Sequence, residues 1–233
     1  MVFAAIVAGG KGIRCNQPIP KQFVHIGDEP VIIHTLKKFT DIADYVYVAC
    51  PGDMLDYSKK LIEKYLKTDK IRLITGGNTR MESVLCMLSA IKSSGLCSPD
   101  DIVVTHDAIR PFVSIEIIKA TIEAAKKHSA CGTYVSAIDT IAVSKDGLNV
   151  SSVPPRDTIF HAQTPQTFKF SVLFEMFSKH RDTMENYTDL CSMAIDSGID
   201  VFITEGSRDN FKITTPFDLQ LADFVAKSIK NNE

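Results

Sequence analysis

Val2-Phe3-Ala4-Ala5-Ile6-Val7-Ala8-Gly9-Gly10-Lys11-Gly12-Ile13-Arg14 is the stretch whose reading decides the fold. An apolar run that stops at a glycine cluster after a few residues reads as a buried strand feeding a tight loop. It lacks the basic leader and small-residue cleavage site of a secretory signal, and no apolar run reaches the ~20 residues of a membrane-spanning helix. Working outward, the same kind of run returns at Tyr45–Cys50, Ile71–Thr75, Ile102–Thr105 and Thr133–Ala137. Between these runs, Pro30–Phe39, Met54–Tyr65, Met81–Ser93 and Ile115–His128 space their apolar residues by three and four, as amphipathic helices do. Ser114 with Glu116 reads as an N-cap and an acidic first turn. The alternation predicts an α/β fold with an open, mostly parallel sheet and helices on both faces.

After Ala137 the rhythm changes. Asp139–Val143, Val150–Val153 and Ile159–Ala162 read as short strands, the first two joined by a turn at Lys145-Asp146-Gly147. This β-arm, at about 138–163, is too small to bury a core of its own, so the expectation is a homodimer in which the arm packs on a second copy. Beyond it, Val172–His180, Asp189–Ser197 and Phe217–Ile229 read as helices and Val201–Thr204 as a strand. Residues 1–233 are taken as a single domain with this arm attached.

The 26 Lys and Arg against 28 Asp and Glu leave a net charge of −2, which gives no bulk attraction to nucleic acid or to an anionic membrane. Anion binding must therefore come from locally placed cations. Cys15, Cys50, Cys86, Cys97, Cys131 and Cys191 show neither C-x-x-C nor zinc-ligand spacing and read as reduced thiols in a cytoplasmic protein.

The chemistry concentrates in clusters placed after strands, where open α/β sheets bind ligands. Ala8-Gly9-Gly10-Lys11-Gly12 lets the backbone approach phosphate closely, but Gly12 stands where a P-loop needs Ser or Thr. Cys15 likewise replaces the third glycine of a dinucleotide fingerprint. Arg14 and Lys21 supply two cations beside this loop. His106-Asp107-Ala108-Ile109-Arg110-Pro111 follows another strand; Asp107 could hold Mg²⁺ and Arg110 could fork onto a phosphate. His106 there reads either as a structural histidine or as a catalytic one. Gly76-Gly77-Asn78-Thr79-Arg80-Met81-Glu82-Ser83 opens a helix whose N-terminus suits an anion or a base edge, or is simply a capped turn. Lys212, in Asp209-Asn210-Phe211-Lys212, either faces the site or is solvated.

Together these clusters resemble the cytidylyltransferases that join CTP to a polyol phosphate, over Ala5 to about Ala222. The resemblance implies a Rossmann-like nucleotidyltransferase fold. It makes Ala8, Gly9, Gly10 and Gly12 the nucleotide loop, sets Arg14 and Lys21 on the triphosphate, and surrounds the cytidine with Gly77, Asn78, Arg80, Ser83 and Ala108. It implies Asp107 at the metal, Lys212 between the α-phosphate and the nucleophile, and Arg110, Asp139, Thr140 and Arg156 at the acceptor, Arg156 reaching the neighbouring subunit's site. Asn78 departs from the Asp common in the isoprenoid branch. Ile109 and Phe112, with Ala8-Gly9-Gly10 and Thr188-Asp189-Leu190-Cys191, resemble the ribitol-5-phosphate branch of surface-polymer synthesis more than the methylerythritol 4-phosphate branch of isoprenoid synthesis.

Implied by the resemblance are CTP, a polyol phosphate and Mg²⁺, with no nucleic acid or membrane partner. The expected reaction is in-line attack by the acceptor's phosphate on the α-phosphorus of CTP, which requires no Ser, Cys or His nucleophile. Two other classes remain open: a non-catalytic CTP-binding regulator, and a nicotinamide dehydrogenase suggested by the strand-loop-helix opening.

Overall fold

The computed structural model describes residues 1–10 and 19–230. Along the chain the elements are β1 (Val2–Val7), β2 (His25–Ile26), β3 (Glu29–Pro30), α1 (Val31–Ile42), β4 (Tyr45–Cys50), α2 (Leu55–Tyr65), β5 (Ile71–Thr75) and α3 (Arg80–Ser93). Then come β6 (Ile102–Asp107), α4 (Ile115–His128), β7 (Ala130–Ser136), β8 (Phe160–Lys169), α5 (Phe170–Lys179), α6 (Leu190–Asp196), β9 (Phe202–Glu205) and α7 (Pro216–Lys230). Seven strands form the main sheet in the order β5-β4-β1-β6-β8-β7-β9. All are parallel except β8, which runs antiparallel to both β6 and β7.

The alternation of side chains along β1 explains the layers. Ala4 and Ile6 pack with Ile32, Ile33 and Leu36 of α1 and with α4, while Phe3 and Ala5 face Met81, Val84 and Leu88 of α3. All of these are fully buried or nearly so, and each large side chain contributes about 1.5–3 kcal/mol relative to exposure. A smaller cluster of Ile26, Val31, Ile213 and Ala222 seats α7 against β2 and β3. It also anchors the segment that carries Lys212.

Local signals work as read at several helix starts. The Ser114 hydroxyl accepts the N–H of Ile117, the Thr79 hydroxyl accepts that of Glu82, and the Asp189 carboxylate accepts that of Ser192. Asp146 and Gly147 form the expected turn, with Gly147 at φ +75° and the Asp146 carboxylate accepting the N–H groups of Leu148 and Asn149. The arm itself differs from expectation. Between β7 and β8 the regular pairing is one bridge, Val143 with Ser152, so the strands expected at 139–143 and 150–153 do not extend. Two short apolar segments with no sheet edge to join gain too few hydrogen bonds to run as a ladder. Ile159–Ala162 proves to be the entry into the ten-residue β8 rather than a strand of the arm.

Cys50, Cys131 and Cys191 are buried free thiols, and Cys86 and Cys97 are partly buried ones. No helix among the described residues is long and apolar enough to cross a membrane.

Candidate active site

The ends of β1, β5 and β6 lie at one edge of the sheet because those strands are parallel. The register sets Val7 beside Asp107, so the first glycine loop and the His-Asp segment emerge side by side. Gly9 and Gly76 both abut Ser83: a Cβ on Gly9 would lie 3.6 Å from its hydroxyl and one on Gly76 would lie 2.9 Å away. A Cβ on Gly77 would come within 2.2 Å of Glu82, so only glycine fits there. The Ser83 hydroxyl accepts the Gly77 N–H and donates to the Thr79 carbonyl. Gly9, Gly77 and Ser83 are thus brought together as the resemblance implied, with Gly10 exposed at the loop's edge. Asn78 is exposed, its N–H held by the Glu82 carboxylate.

Asp107 is the centre of charge. Its carboxylate takes Arg80 Nε at 3.1 Å, Lys212 Nζ at 2.9 Å and Arg110 Nε at 3.7 Å. Burial alone would push this carboxyl up, but the charges of Arg80, Lys212 and Arg110 hold it far below the usual carboxylate range. One carboxylate against three cations leaves a net positive centre. Both Nη atoms of Arg80 are buried without an acceptor among the described residues. A cavity of about 150 Å³ lies here, lined by Arg80, Asp107, Arg110 and Lys212 and by Gln163, Thr164, Gln166, Thr188 and Asp189. Cations together with amides, hydroxyls and a second carboxylate suit a phosphate that carries a polyol, whose hydroxyls can donate to the carboxylate.

Several expectations need correction. Arg80, expected beside the cytidine, joins the Asp107 cluster through its Nε, because its guanidinium is drawn to the buried carboxylate. Ala108 is fully buried, with its N–H donated to Val7 and its carbonyl accepting Thr35, so it offers no free donor to CTP. Ala8 is similarly spent: its N–H goes to Ala49, and its carbonyl accepts Gln22 Nε2. Asp107 does not fit a protein-held metal site. Its oxygens are occupied by cations, and no group of three His, Cys, Asp or Glu side chains converges among the described residues.

Lys21 is nearly buried in a single 3₁₀ turn, Lys21–Phe23. Burial pushes the nearby Asp218 carboxyl up, but the N–H groups of Thr215 and Thr214, helped by the charge of Lys21, bring it below its ordinary value. Lys21 is thereby placed at the start of α7, next to the segment bearing Lys212. Asp139, Thr140 and Arg156 are exposed on the arm and do not line this chain's cavity. Gly12 and Arg14 lie outside the described residues.

His106 is structural. It is fully buried, held between the Arg110 carbonyl at 3.1 Å and the Thr164 hydroxyl at 2.8 Å, and burial lowers its pKa to about 3. Sequence reasoning missed Gln163, Thr164 and Gln166 as cavity residues. The available signal was Gln163-Thr164-Pro165-Gln166-Thr167, a polar run between Ala162 and Phe168.

The model of the 2-C-methyl-D-erythritol 4-phosphate cytidylyltransferase (IspD) family matches residues 2–228. The chain belongs to the IspD family. Among solved structures, the 2-C-methyl-D-erythritol 4-phosphate cytidylyltransferase (IspD) of Francisella tularensis is 32% identical, with 96% of this chain and 98% of that one covered and a TM-score of 0.80. The 4-diphosphocytidyl-2C-methyl-D-erythritol synthase of Anaerococcus prevotii is 29% identical over 97% and 96%, with a TM-score of 0.82. The Thermus thermophilus cytidylyltransferase is also 29% identical, over 97% and 98%, at 0.75. As an IspD-family protein the chain is a CTP cytidylyltransferase, and thus a nucleotidyltransferase.

The resemblance to the ribitol branch finds no support among these relatives, which are named as enzymes of methylerythritol compounds. Of the residues behind it, Ile109 and Phe112 pack with the cluster around Ile26 and Ile213, the Phe112 ring 5.4 Å from that of Phe211, and Leu190 and Cys191 are core residues, whereas Thr188 and Asp189 line the cavity.

Proposed function

We propose that the protein transfers CMP from CTP to 2-C-methyl-D-erythritol 4-phosphate and releases pyrophosphate. The observation that carries this reading is the net positive cluster of Arg80, Arg110 and Lys212 around one buried carboxylate, in a cavity also lined by Gln163, Thr164, Gln166, Thr188 and Asp189. The acceptor named by the relatives supports methylerythritol phosphate over ribitol phosphate.

In this reaction an acceptor phosphate oxygen forms a bond to the α-phosphorus of CTP. The bond from that phosphorus to the oxygen bridging to the β-phosphate breaks, and pyrophosphate leaves with the electron pair. The nucleophile is already anionic, so the chain need only bring two mutually repelling anions together and stabilise the charge that develops. Lys212 is suited to that task, since its side chain is 40% exposed and so open to substrate while Asp107 holds its amine. Arg80 and Arg110 are fixed around it. Lys21 and Arg14 would receive the triphosphate, and Gly9, Gly77 and Ser83 the cytidine. A divalent ion enters as part of the substrate, carried by the triphosphate, because Asp107 is already occupied by cations.

The arm supports a homodimer: Leu148 and Val150 are 88% and 66% exposed, and Ile138, Val143 and Val153 are bare as well. In such a dimer Arg156, with Asp139 and Thr140, would meet the neighbouring copy's acceptor.

The test is pyrophosphate release with CTP and Mg²⁺, comparing methylerythritol 4-phosphate with ribitol 5-phosphate at equal concentration. Preference for methylerythritol phosphate is expected. Preference for ribitol phosphate would overturn the acceptor, and silence with both alongside tight CTP binding would favour a regulator.

A further inference from the structure

Neither His106 nor Asn210 lines the cavity, yet both are fully buried beside it and joined by a closed circuit of hydrogen bonds. The His106 Nε2 lies 3.1 Å from the Arg110 carbonyl, which can only accept, so Nε2 carries the proton. In the neutral imidazole Nδ1 is then an acceptor, and the Thr164 hydroxyl donates to it at 2.8 Å. That leaves the Thr164 oxygen to accept the Asp107 N–H at 3.3 Å. The Thr164 carbonyl accepts Asn210 Nδ2 at 2.8 Å, and the Asn210 carbonyl accepts Arg110 Nη1 at 2.8 Å, which closes the circuit.

The members come from three segments far apart in sequence: the end of β6, the middle of β8, and the stretch between β9 and α7. Asn210 also donates to Gln163 Oε1 at 3.2 Å, and the Gln163 amide is oriented by its own donation to the Ser207 carbonyl. An amide is therefore required at 210, since both fixed partners of its side chain accept. Lys212 stands two residues further on, and Ile213 N–H binds the Ile109 carbonyl at 3.0 Å.

We propose that the ring of His106, Thr164, Asn210 and Arg110 fixes Arg110 and Lys212 relative to Asp107, making His106 and Asn210 positioning residues that touch no substrate. The proposal rests on the cytidylyltransferase reading for its kinetic test, but the ring has a readout of its own.

That readout is the ¹⁵N spectrum of His106 in the intact protein, where the proton on Nε2 and a bare Nδ1 are expected. Finding the proton on Nδ1 would overturn the ring whether or not the protein has activity. Asn210→Ala keeps the carbonyl that holds Arg110 but removes both side-chain bonds. Its kcat, per CTP site counted by calorimetry, should fall by about tenfold or more, with a rise in acceptor KM and little change in that for CTP. Asn210→Asp, which presents an acceptor to two acceptors, should fall at least as far. A folded Asn210→Ala with wild-type kcat and KM would also overturn the proposal. Absence of turnover in the wild type would instead count against the function, leaving the nitrogen spectrum to decide the ring.

Discussion

Around Asp107 the chain supplies its own partners: three cations share the carboxylate, and His106, Thr164 and Asn210 tie the flanking segments together out of solvent. Between Ala137 and Ile159 the reverse holds, with one bridge for regular pairing and Leu148 and Val150 standing 88% and 66% exposed. In the first region charged groups are buried because the fold pairs most of them, the two Arg80 Nη atoms being left without an acceptor among the described residues. In the second, apolar groups are exposed because no described residue covers them. Catalysis needs charges held still before substrate arrives, and assembly needs surface held back for a second copy. The two regions therefore fail differently when altered.

The largest effect is expected from Lys212→Ala. Losing one contact to charge that develops in the transition state costs about 3 kcal/mol, or at least a hundredfold in kcat. Stability should change little, because the lysine side chain is 40% exposed and Asp107 keeps Arg80 and Arg110. Steady-state kinetics together with thermal melting checks both halves. Wild-type turnover at saturating substrates would break the assignment of this cluster to chemistry.

Next is an acid response carried in the first region by His106. His106 is held neutral with its pKa near 3, against about 6.5 in the unfolded chain. Between those values the unfolded state binds the extra proton, so stability falls as pH drops below about 6.5, by up to about 1.4 kcal/mol per pH unit. The Asp107 carboxylate is depressed instead, so its contribution persists until pH falls below the ordinary carboxylate value of 3.8. His106→Asn cannot take up the proton and should flatten the dependence between pH 6 and 4 by about one proton. Equal slopes in denaturant titrations of the two proteins would show that His106 is not held neutral.

The sheet was legible because β1 and β4 are apolar runs without a charged or strongly polar residue and β6 opens on three apolar residues, and the helices because their spacing is amphipathic. The part of β8 from Gln163 to Lys169 was not. It is polar and contains a proline, which ordinarily argues against a central strand. Its burial depends on partners distant in sequence: Thr105 donates to the Gln166 carbonyl, Thr133 to that of Pro165, and Gln166 to the Asp189 carboxylate. A register shift at Gly132 and Thr133 accommodates the irregular stretch. The same reason hid the polar wall of the cavity. The cations were legible as residue types in the right loops. What could not be read was that Arg80 turns to Asp107, because that depends on a carboxylate 27 residues away in another strand's end.

For the arm, Leu148→Asp with Val150→Asp should weaken a dimer by tenfold or more. Burying each such side chain contributes about 1.5–3 kcal/mol, and a carboxylate in its place adds a desolvation cost. Sedimentation across a concentration series reads this directly. Melting of the sheet should be unaffected, since neither side chain touches the core. A wild-type chain that is monomeric at every concentration would remove the distinction between the two regions.

The smallest effect is expected where the regions would meet. Within this chain Arg156 donates to the Ile138 carbonyl at 3.1 Å and is exposed, so its charge has no buried partner to lose. If the dimer carries it to the neighbouring acceptor, Arg156→Ala removes one charge-assisted contact to the second substrate. That contact is worth about 1.5–3 kcal/mol, so the acceptor KM should rise by about tenfold or somewhat more while the CTP KM stays nearly constant. An equal rise in both would mean that the arm only holds the copies together. Mixing Lys212→Ala with Arg156→Ala separates the cases further. Each copy then lacks a different feature, and recovery of acceptor affinity in the mixture requires that an arginine from one copy serve the cation cluster of the other.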